Sequence, residues 1–287
     1  MWGRMASCAP VVYRRNWRVA NPPQVSNLPH KARWNGLTTA AKAMAMLLVA
    51  AAARCQDARQ LLMEAQRRVH GASVRYEGVA LTSNDAGATS EKNWRFERIG
   101  PYGESKILIR FLSPAEVEGV AILILNHRNG PSGVWMWTPA SGRVRSIATE
   151  SRLTRFFGTD FSFEDLEERD VDQYDCKRLG DDSLDGATCW RIECRPNRGN
   201  ASQYTYSHVW LRKDDYVIAQ LENFQGPTLL RRIVSRDVRK VQGIWTPHAI
   251  EISQPARHTR TVLRLEKLEY NVALDEAAFT VEGLRPH

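Results

Sequence analysis

The chain has 287 residues, 43% of them hydrophobic, and carries a formal net charge of +8. This length and composition are typical of a globular protein with one large domain, or at most two. Eight of the 40 Lys and Arg residues lie in residues 1–54, which contain no Asp or Glu, and the other 32 balance the 32 acidic residues. Because the body of the chain is neutral, the positive net charge is no evidence for a nucleic-acid-binding surface.

An apolar run, AMAMLLVAAAA, occupies residues 43–53 within this acid-free stretch. It has the length of the hydrophobic region of a signal peptide and is too short to span a bilayer. We expect residues 1–53 to be a leader with a signal peptide, cleaved near Ala53, so that the mature chain is exported to an oxidising compartment. The alternatives are an organellar transit peptide and a lipid anchor on Cys55, which Arg54 disfavours.

The segment that follows the leader has the period of an amphipathic helix. Within residues 57–71 the apolar side chains recur on one helical face. Asp57 is a suitable N-cap and Gly71 a suitable stop. The apolar face consists of Ala58, Leu61, Leu62, Ala65 and Val69. We therefore predict one helix at the start of the mature chain.

From Val74 onward the apolar residues alternate with a period of two. Pieces such as VRYEGVAL, SKILIRFLS and ATCWRIECRP are separated by turn-rich pieces such as SNDAG and NGPSG. Roughly ten or more such strands predict a mainly β (α+β) fold with a large curved antiparallel sheet. Around Ile107 and Leu108 both alternating sets are apolar, so we expect parts of the sheet to be covered on both faces. No linker is visible, which predicts a single domain over residues 54–287.

The strand pattern breaks at RFFGTDFSFEDL, residues 155–166, which combines four phenylalanines, three carboxylates and one glycine. Together with the aromatic residues of the preceding strands, these phenylalanines exceed what one sheet face needs if the other face is wet. A curved sheet with the helix and this segment folded into its concavity would enclose an apolar pocket suited to an acyl chain. In the alternative interpretation, the same aromatic residues fill the core.

Sequence signals for catalysis are weak. The chain contains no HExxH, GxSxG or P-loop motif, and its histidines are scattered without metal-ligand spacing. Asp160, Glu164 and Asp165 could act as a general acid and base beside the phenylalanines, but short acidic side chains more often cap a loop or a helix start. We therefore predict that the protein is not an enzyme and holds no metal or cofactor.

Cys176, Cys189 and Cys194 lie in the body of the chain. The piece YDCKRLGDDSLDGATCWRIEC predicts a hairpin that turns near Asp182 and Ser183. Symmetric pairing about that turn sets Cys176 across from Cys189, which permits a disulfide after export. The alternatives are small buried hydrophobic residues and a zinc site, which the absence of a CxxC pair disfavours.

Several stretches resemble a known family. The run VWMWTPASGRVRSI, with FFGTDFSFEDL after it, resembles the signature of the LolA-like outer-membrane lipoprotein-sorting family. The C-terminal pieces RRIVSRDVRKVQGIWTPHAIEI and TRTVLRLEKLEYN are similar to the last strands of that family, so the resemblance covers nearly everything from Asp57 onward. It implies a periplasmic protein with an open, incomplete β-barrel, closed by helices, whose apolar inside receives lipid.

The resemblance also implies a function. It indicates a periplasmic carrier that binds acyl chains of lipoproteins or other lipids in a hydrophobic cavity for transfer toward the outer membrane. The alternative is a lipid-sensing regulator or adaptor that works with a membrane lipid exporter. We expect a monomer whose partners are a lipid and an inner-membrane transporter or exporter, and no nucleic acid.

We expect residues 155–166 to form a lid over the concave face, with Gly158 allowing a bend of the backbone. Hydrogen bonds, or ion pairs with Arg143 and Arg145, would hold its carboxylates in place. The predicted cavity residues are Trp94, Phe96, Ile107, Ile109, Phe111, Trp135, Trp137, Phe157, Phe161 and Phe163. The predicted lid and signature residues are Arg143, Arg145, Gly158, Asp160, Glu164 and Asp165.

Overall fold

The computed structural model describes residues 57–68 and 71–285; the predicted leader, its cleavage site and Cys55 lie outside them. The predicted helix is present as α1, Ala58–Arg68, and the backbone N–H of Arg59 donates to Asp57 Oδ1 at 3.2 Å, as expected for an N-cap. Of the helices in the described residues, none is long and apolar enough to cross a membrane.

The described residues form thirteen β-strands, all antiparallel and all in one sheet, which confirms the predicted mainly β fold. The sheet is curved and does not close, so the barrel is incomplete, as predicted. The strands are β1 (Ser73–Asn84), β2 (Thr89–Ile99), β3 (Lys106–Ser113), β4 (Ala121–Leu125), β5 (Gly133–Thr138), β6 (Arg143–Ser146), β7 (Tyr174–Leu184), β8 (Ala187–Pro196), β9 (Tyr206–Arg212), β10 (Ile218–Gln225), β11 (Thr228–Val241), β12 (Ile244–Gln254) and β13 (Thr259–Tyr270).

The strand order places the first and last strands side by side in the middle of the sheet. From β1 each strand pairs with the next one out to β6 at one edge; the chain then continues in β7 at the other edge and returns strand by strand to β13, which pairs with β1. The connection from β6 to β7, residues 147–173, therefore has to travel from one edge of the sheet to the other. We call it the crossover segment; it contains the phenylalanine-rich stretch.

Strands β2 to β5 are covered on both faces, as the two-sided alternation predicts. On the face that the crossover segment packs against, here called the inner face, Ile109 is fully buried. On the outer face, Leu108 and Leu123 pack against Phe279 and Leu284, which lie in two short 3₁₀ turns at the C-terminal end, Glu276–Phe279 and Glu282–Leu284. Side chains of alternating residues on these strands thus enter two separate cores.

The disulfide differs from the predicted one. Cys176 is bonded to Cys194, and Cys189 is free and buried. The hairpin of β7 and β8 turns at Asp185 and Gly186, which have φ values of +50° and +81°, and not near Asp182. An Asp-Gly pair with both φ angles positive is the preferred two-residue hairpin turn. Its position, together with a β-bulge between Arg178 and Gly180 that shifts the register by one residue, brings Cys176 opposite Cys194.

Peptide mapping without reduction tests this pairing. Trypsin separates the three thiols, because residues 170–177, 179–191 and 192–198 fall in different peptides. We expect mass spectrometry to find 170–177 joined to 192–198 and the peptide 179–191 unlinked. A linked pair of 170–177 and 179–191 would instead show a bond between Cys176 and Cys189.

Cys194→Ser should lower the free energy of unfolding by about 3 kcal/mol, because the bond joins residues 18 positions apart and its loss frees that loop in the unfolded chain.

Candidate functional site

The phenylalanine-rich stretch forms a tight turn that points its rings at the sheet. The N–H of Phe156 donates to the carbonyl of Phe161 at 2.7 Å, and the N–H of Thr159 donates to the carbonyl of Phe156 at 3.0 Å. Between them Phe157 and Gly158 have φ values of +48° and +76°. The glycine takes this conformation freely, as expected from the sequence, whereas a bulky residue such as Phe157 rarely does.

The phenylalanines fill the inner face of the first half of the sheet. Phe156 is fully buried. The centroid of its ring lies 5.5 Å from that of Phe111, 5.9 Å from that of Trp94 and 5.4 Å from that of Phe163. Phe161 is buried in the same cluster. Half of the predicted cavity residues are on strands β2 and β3 of this packed core: Trp94, Phe96, Ile107, Ile109 and Phe111. The alternative interpretation, that the aromatic residues fill the core, describes this part of the protein.

Asp160 fastens the turn to the middle of the sheet. Its carboxylate is fully buried and accepts hydrogen bonds from the hydroxyls of Thr259 and Thr261 on β13, the latter at 2.8 Å. Its carbonyl accepts from Nε of Arg231 at 3.0 Å and from Nε2 of Gln254 at 3.1 Å. Through these contacts one residue joins the crossover segment to β11, β12 and β13. We call residues 155–166, which are held against the sheet in this way, the plug.

The other two carboxylates of the stretch bind the second half of the protein. Asp165 accepts from the hydroxyl of Tyr204 at 2.7 Å and lies 3.4 Å from Nε of Arg231. Glu164 accepts from the hydroxyl of Ser202 and, at 2.9 Å, from Nε2 of Gln203. These carboxylates are therefore tied down by hydrogen bonds, as one branch of the prediction held.

The other branch of that prediction is wrong. Arg143 and Arg145 are exposed on the edge strand β6, and the arginines that pair with the carboxylates of the stretch are Arg155, Arg169 and Arg231. Trp135 and Trp137 were also expected inside the cavity, but both lie on the outer face with Leu108 and Leu123. Because Trp135 pairs directly with Leu123, strand pairing puts it on the face opposite the plug.

A cavity of about 280 Å³ lies on the inner face of the other half of the sheet, beneath α1. The helix covers it with Leu62, Ala65 and Gln66, and none of the predicted cavity residues reaches it. Two of the five helix residues predicted to face inward are alanines, Ala58 and Ala65, whose short side chains leave space against the strands. The remaining wall consists of Tyr102, Arg169, Val171, Tyr174, Cys176, Cys194, Ser207, Val209, Tyr216, Val217, Ile218, Leu221, Ser235 and Pro247.

The strand register gives this cavity one polar wall. Ser207 on β9 pairs with Asn223 on β10, whereas two residues further along the strands Val209 pairs with Leu221. The hydroxyl of Ser207 donates to Asn223 Oδ1 at 2.7 Å, and Nη1 of Arg169 donates to the same oxygen at 3.2 Å. The cavity is therefore apolar over most of its wall, with a hydrogen-bonded polar row at one end.

The wall carries little net charge apart from Arg169. Burial raises the pKa of Tyr102 and that of Tyr174 above the ordinary value of a phenol, so both remain neutral at physiological pH. Beside the cavity lies a wider groove of about 650 Å³ that shares Gln66, Tyr102 and Val171 with it. An apolar cavity next to an open groove can bind a hydrocarbon chain and leave the polar group attached to that chain in the groove.

Comparison with known families decides where the chain belongs. A family model described as "Uncharacterized protein" matches residues 103–286, more than half of the sequence. The chain belongs to that family. A DUF1329 family protein from Desulfovibrio piger has the same fold, with a TM-score of 0.75 and 25% identity over 79% of this chain and 97% of its own. The sequence matches no curated protein at a significant level.

Two further solved structures relate the family to the fold expected from the sequence. A domain from Vibrio parahaemolyticus named for outer membrane lipoprotein sorting has a TM-score of 0.75 and 24% identity, over 79% of this chain and 98% of its own. A LolA superfamily protein from Nitrosomonas europaea has a TM-score of 0.63 and 17% identity, over 79% and 98%. The fold that the resemblance to the LolA-like family implies is thereby confirmed, and this fold spans nearly the whole of each relative.

The sequence-based prediction missed this cavity because it was based on the largest side chains. The residues that line the cavity are mostly small or of moderate size, such as Ala65, Ser207 and Val209. Because such residues occur in most helices and strands, their presence in the sequence does not indicate a cavity. One signal was available: the alternation in β8 puts Ile192 and Cys194 on the face that α1 covers. Small residues under a helix leave space, whereas clustered aromatic residues fill it.

Proposed function

We propose that the protein is a non-enzymatic carrier that binds acyl chains of lipoproteins or other lipids and transfers them toward the outer membrane. The observation that supports this most directly is the apolar cavity of about 280 Å³ between α1 and the sheet. Each methylene buried there contributes about 0.8 kcal/mol, so a chain of several methylenes binds without any polar contact. The name of the Vibrio parahaemolyticus relative, which refers to lipoprotein sorting, agrees with this function.

The cysteines support a location in the periplasm. The bond between Cys176 and Cys194 joins the edge strand β7 to β8 and lies in the cavity wall. Such bonds form and persist in oxidising compartments such as the bacterial periplasm. A chain delivered there by its leader would receive lipid from an inner-membrane transporter or exporter, the class of partner that we propose.

In this proposal the mobile cover of the cavity is α1, and residues 155–166 are a fixed plug. The helix has three buried residues, Ala58, Leu61 and Ala65, and Gln66 Nε2 donates to the carbonyl of Arg169 at 3.0 Å. Arg59 also pairs with Asp172, and the guanidinium of Arg68 lies 4.1 Å from the centroid of the Tyr216 ring. An entering chain would displace the helix from these contacts.

Filling the cavity tests the function. We expect Leu62→Trp to weaken the binding of a fluorescent fatty-acyl probe at least tenfold, because the larger side chain occupies the space of several methylenes. The matched control is Gln60→Trp, on the exposed side of the same helix, which should bind like the unchanged protein. Equal affinity of both variants, or no binding by the unchanged protein, would remove the cavity as the lipid site.

Native mass spectrometry separates the carrier from a lipid-sensing adaptor. We expect the protein isolated from the periplasm to carry a lipid of defined mass, at no more than one lipid per protein molecule, and to release this lipid to vesicles. A stable complex with a protein partner, with lipid acting only as a signal, would favour the adaptor instead. Turnover of the lipid would contradict both.

A further inference from the structure

A second cavity, of about 260 Å³, lies where the β4–β5 loop, the crossover segment and the β8–β9 loop meet. It shares no lining residue with the apolar cavity under α1. The 3₁₀ turn Val171–Gln173 lies between the two, because Val171 lines the apolar cavity whereas Asp172 and Gln173 line this one. We call it the polar pocket, since most of its lining side chains are charged or are amides.

Hydrogen bonds hold the amide side chains of the polar pocket in fixed positions. Nε2 of Gln173 donates to the carbonyl of His127 at 3.0 Å, which fastens the crossover segment to the β4–β5 loop. Nδ2 of Asn197 donates to the carbonyl of Asp172 at 2.8 Å, and Nδ2 of Asn200 donates to that of Gln173 at 3.1 Å. Within the described residues, Oε1 of Gln173 and Oδ1 of Asn197 accept no hydrogen bond. The pocket is therefore pre-formed and offers acceptors to a ligand that has O–H donors.

The charges around the polar pocket leave one guanidinium without a counter-charge. Arg198 is exposed, and it forms no ion pair with a carboxylate of the described residues. The other charged side chains of the lining are each paired with a side chain of opposite charge. The pairs are Arg152 with Glu167, Arg128 with Asp170, and Asp172 with Arg59. A ligand with a single negative charge would therefore balance the charges of the pocket.

We infer that the polar pocket binds a single-ring sugar that carries one carboxylate group. The carboxylate pairs with the exposed Arg198, where it keeps part of its hydration and avoids the cost of burying a charge. The hydroxyl groups of the ring donate to the side-chain oxygens of Gln173, Asn197 and Glu167, which line the pocket. This site is separate from the proposed lipid site and does not depend on it.

Three properties of the polar pocket favour this ligand over other small molecules. Its apolar side chains are those of Pro131 and Ala201, so a hydrocarbon chain would gain little free energy on binding. Its volume lies below the usual lower limit for small-molecule sites, about 300 Å³, which suits one ring. A phosphate monoester carries a charge of about −2 at neutral pH and would exceed the single uncompensated positive charge.

Four small molecules test the inference on the unchanged protein. Glucuronate has both the hydroxyls and the carboxylate, glucose lacks the carboxylate, acetate lacks the hydroxyls, and glucose 6-phosphate has a phosphate instead of the carboxylate. Isothermal titration calorimetry at one ionic strength measures each affinity. We expect glucuronate to bind about fivefold more tightly than glucose, the upper range for an exposed ion pair, and more tightly than glucose 6-phosphate. It should bind at least about tenfold more tightly than acetate, which forgoes two or more hydrogen bonds.

Three variants assign the binding to the polar pocket. In Arg198→Gln the affinity for glucuronate should fall to that for glucose, while glucose binds as before. The matched control is Arg257→Gln, which removes an exposed arginine of the 3₁₀ turn Pro255–Arg257 and should keep the full difference between the two sugars. Ala201→Trp should prevent binding of both sugars by filling the pocket, and should leave the affinity for the acyl probe unchanged, because Ala201 does not line the apolar cavity.

Equal affinity for glucuronate and acetate would show an adventitious ion only, held by Arg198, and would overturn the inference. So would tightest binding of glucose 6-phosphate, no binding of glucuronate, or unchanged binding of glucuronate in Ala201→Trp. Each of these results leaves the proposed function intact, because that function depends on the apolar cavity under α1.

Discussion

Asp160→Ala is expected to lower the free energy of unfolding by about 3–5 kcal/mol. The carboxylate is fully buried and accepts from the hydroxyls of Thr259 and Thr261 and from Nη2 of Arg155 at 3.2 Å. Its removal takes the carboxylate acceptor from both threonine hydroxyls, whereas Arg155 still donates to the carbonyls of Thr159 and Gly158. The N–H of Asp160, which donates to the hydroxyl of Thr261, would then be its remaining hydrogen bond to β13. Urea denaturation followed by tryptophan fluorescence measures the change.

Arg143→Ala is the matched control for this prediction. It removes a charged residue of the same family signature, but the side chain is exposed on β6 and bonds to no carboxylate of the plug. We expect a change within about 0.5 kcal/mol. Asp160→Asn, which keeps part of the hydrogen bonding, should fall between the two. If Asp160→Ala is as stable as Arg143→Ala, the carboxylate does not anchor the segment.

Phe156→Ala is expected to cost about 3–5 kcal/mol of stability while leaving the affinity for an acyl probe nearly unchanged. The ring is fully buried among Trp94, Phe111 and Phe163, so its loss opens a void in the packed half of the sheet. The lipid site lies under α1, and no atom of this cluster lines it. Stability is measured by denaturation, and affinity by titration of the folded fraction.

Leu62→Trp is expected to have the opposite effect: it lowers the affinity for the acyl probe and leaves the free energy of unfolding nearly unchanged. Together with Phe156→Ala it therefore distinguishes a lipid site under α1 from one at the plug. A lid made of the phenylalanines, which the sequence favours, predicts instead that Phe161→Ala and Phe163→Ala weaken binding by well over tenfold. If Phe156→Ala and Phe161→Ala keep their stability and lose the probe, the lipid lies against the plug and the cavity under α1 is not the site.

Local patterns were enough to predict most of the elements. The period of two from Val74 onward corresponds to the strands, and the spacing of apolar residues after Asp57 corresponds to α1. The turn at Asp185 and Gly186 carries a local signal too, because Asp-Gly favours a two-residue hairpin. Placing that turn about three residues too early predicts Cys189 as the partner of Cys176, and the β-bulge between Arg178 and Gly180 supplies the last residue of the shift to Cys194.

The sequence by itself determined the mainly β fold, the helix at its start and the unusual character of residues 155–166, since each depends on residues close together in the chain. Only the tertiary structure decided which half of the inner face of the sheet is filled with side chains and which half keeps a cavity. The pairing of β1 with β13 sends the crossover segment over the sheet, where its phenylalanines fill one half. The other half receives a helix with short alanine side chains and keeps a cavity. Contacts between residues more than 100 positions apart, such as that of Asp160 with Thr261, set this division, and alternation along a strand does not reveal them.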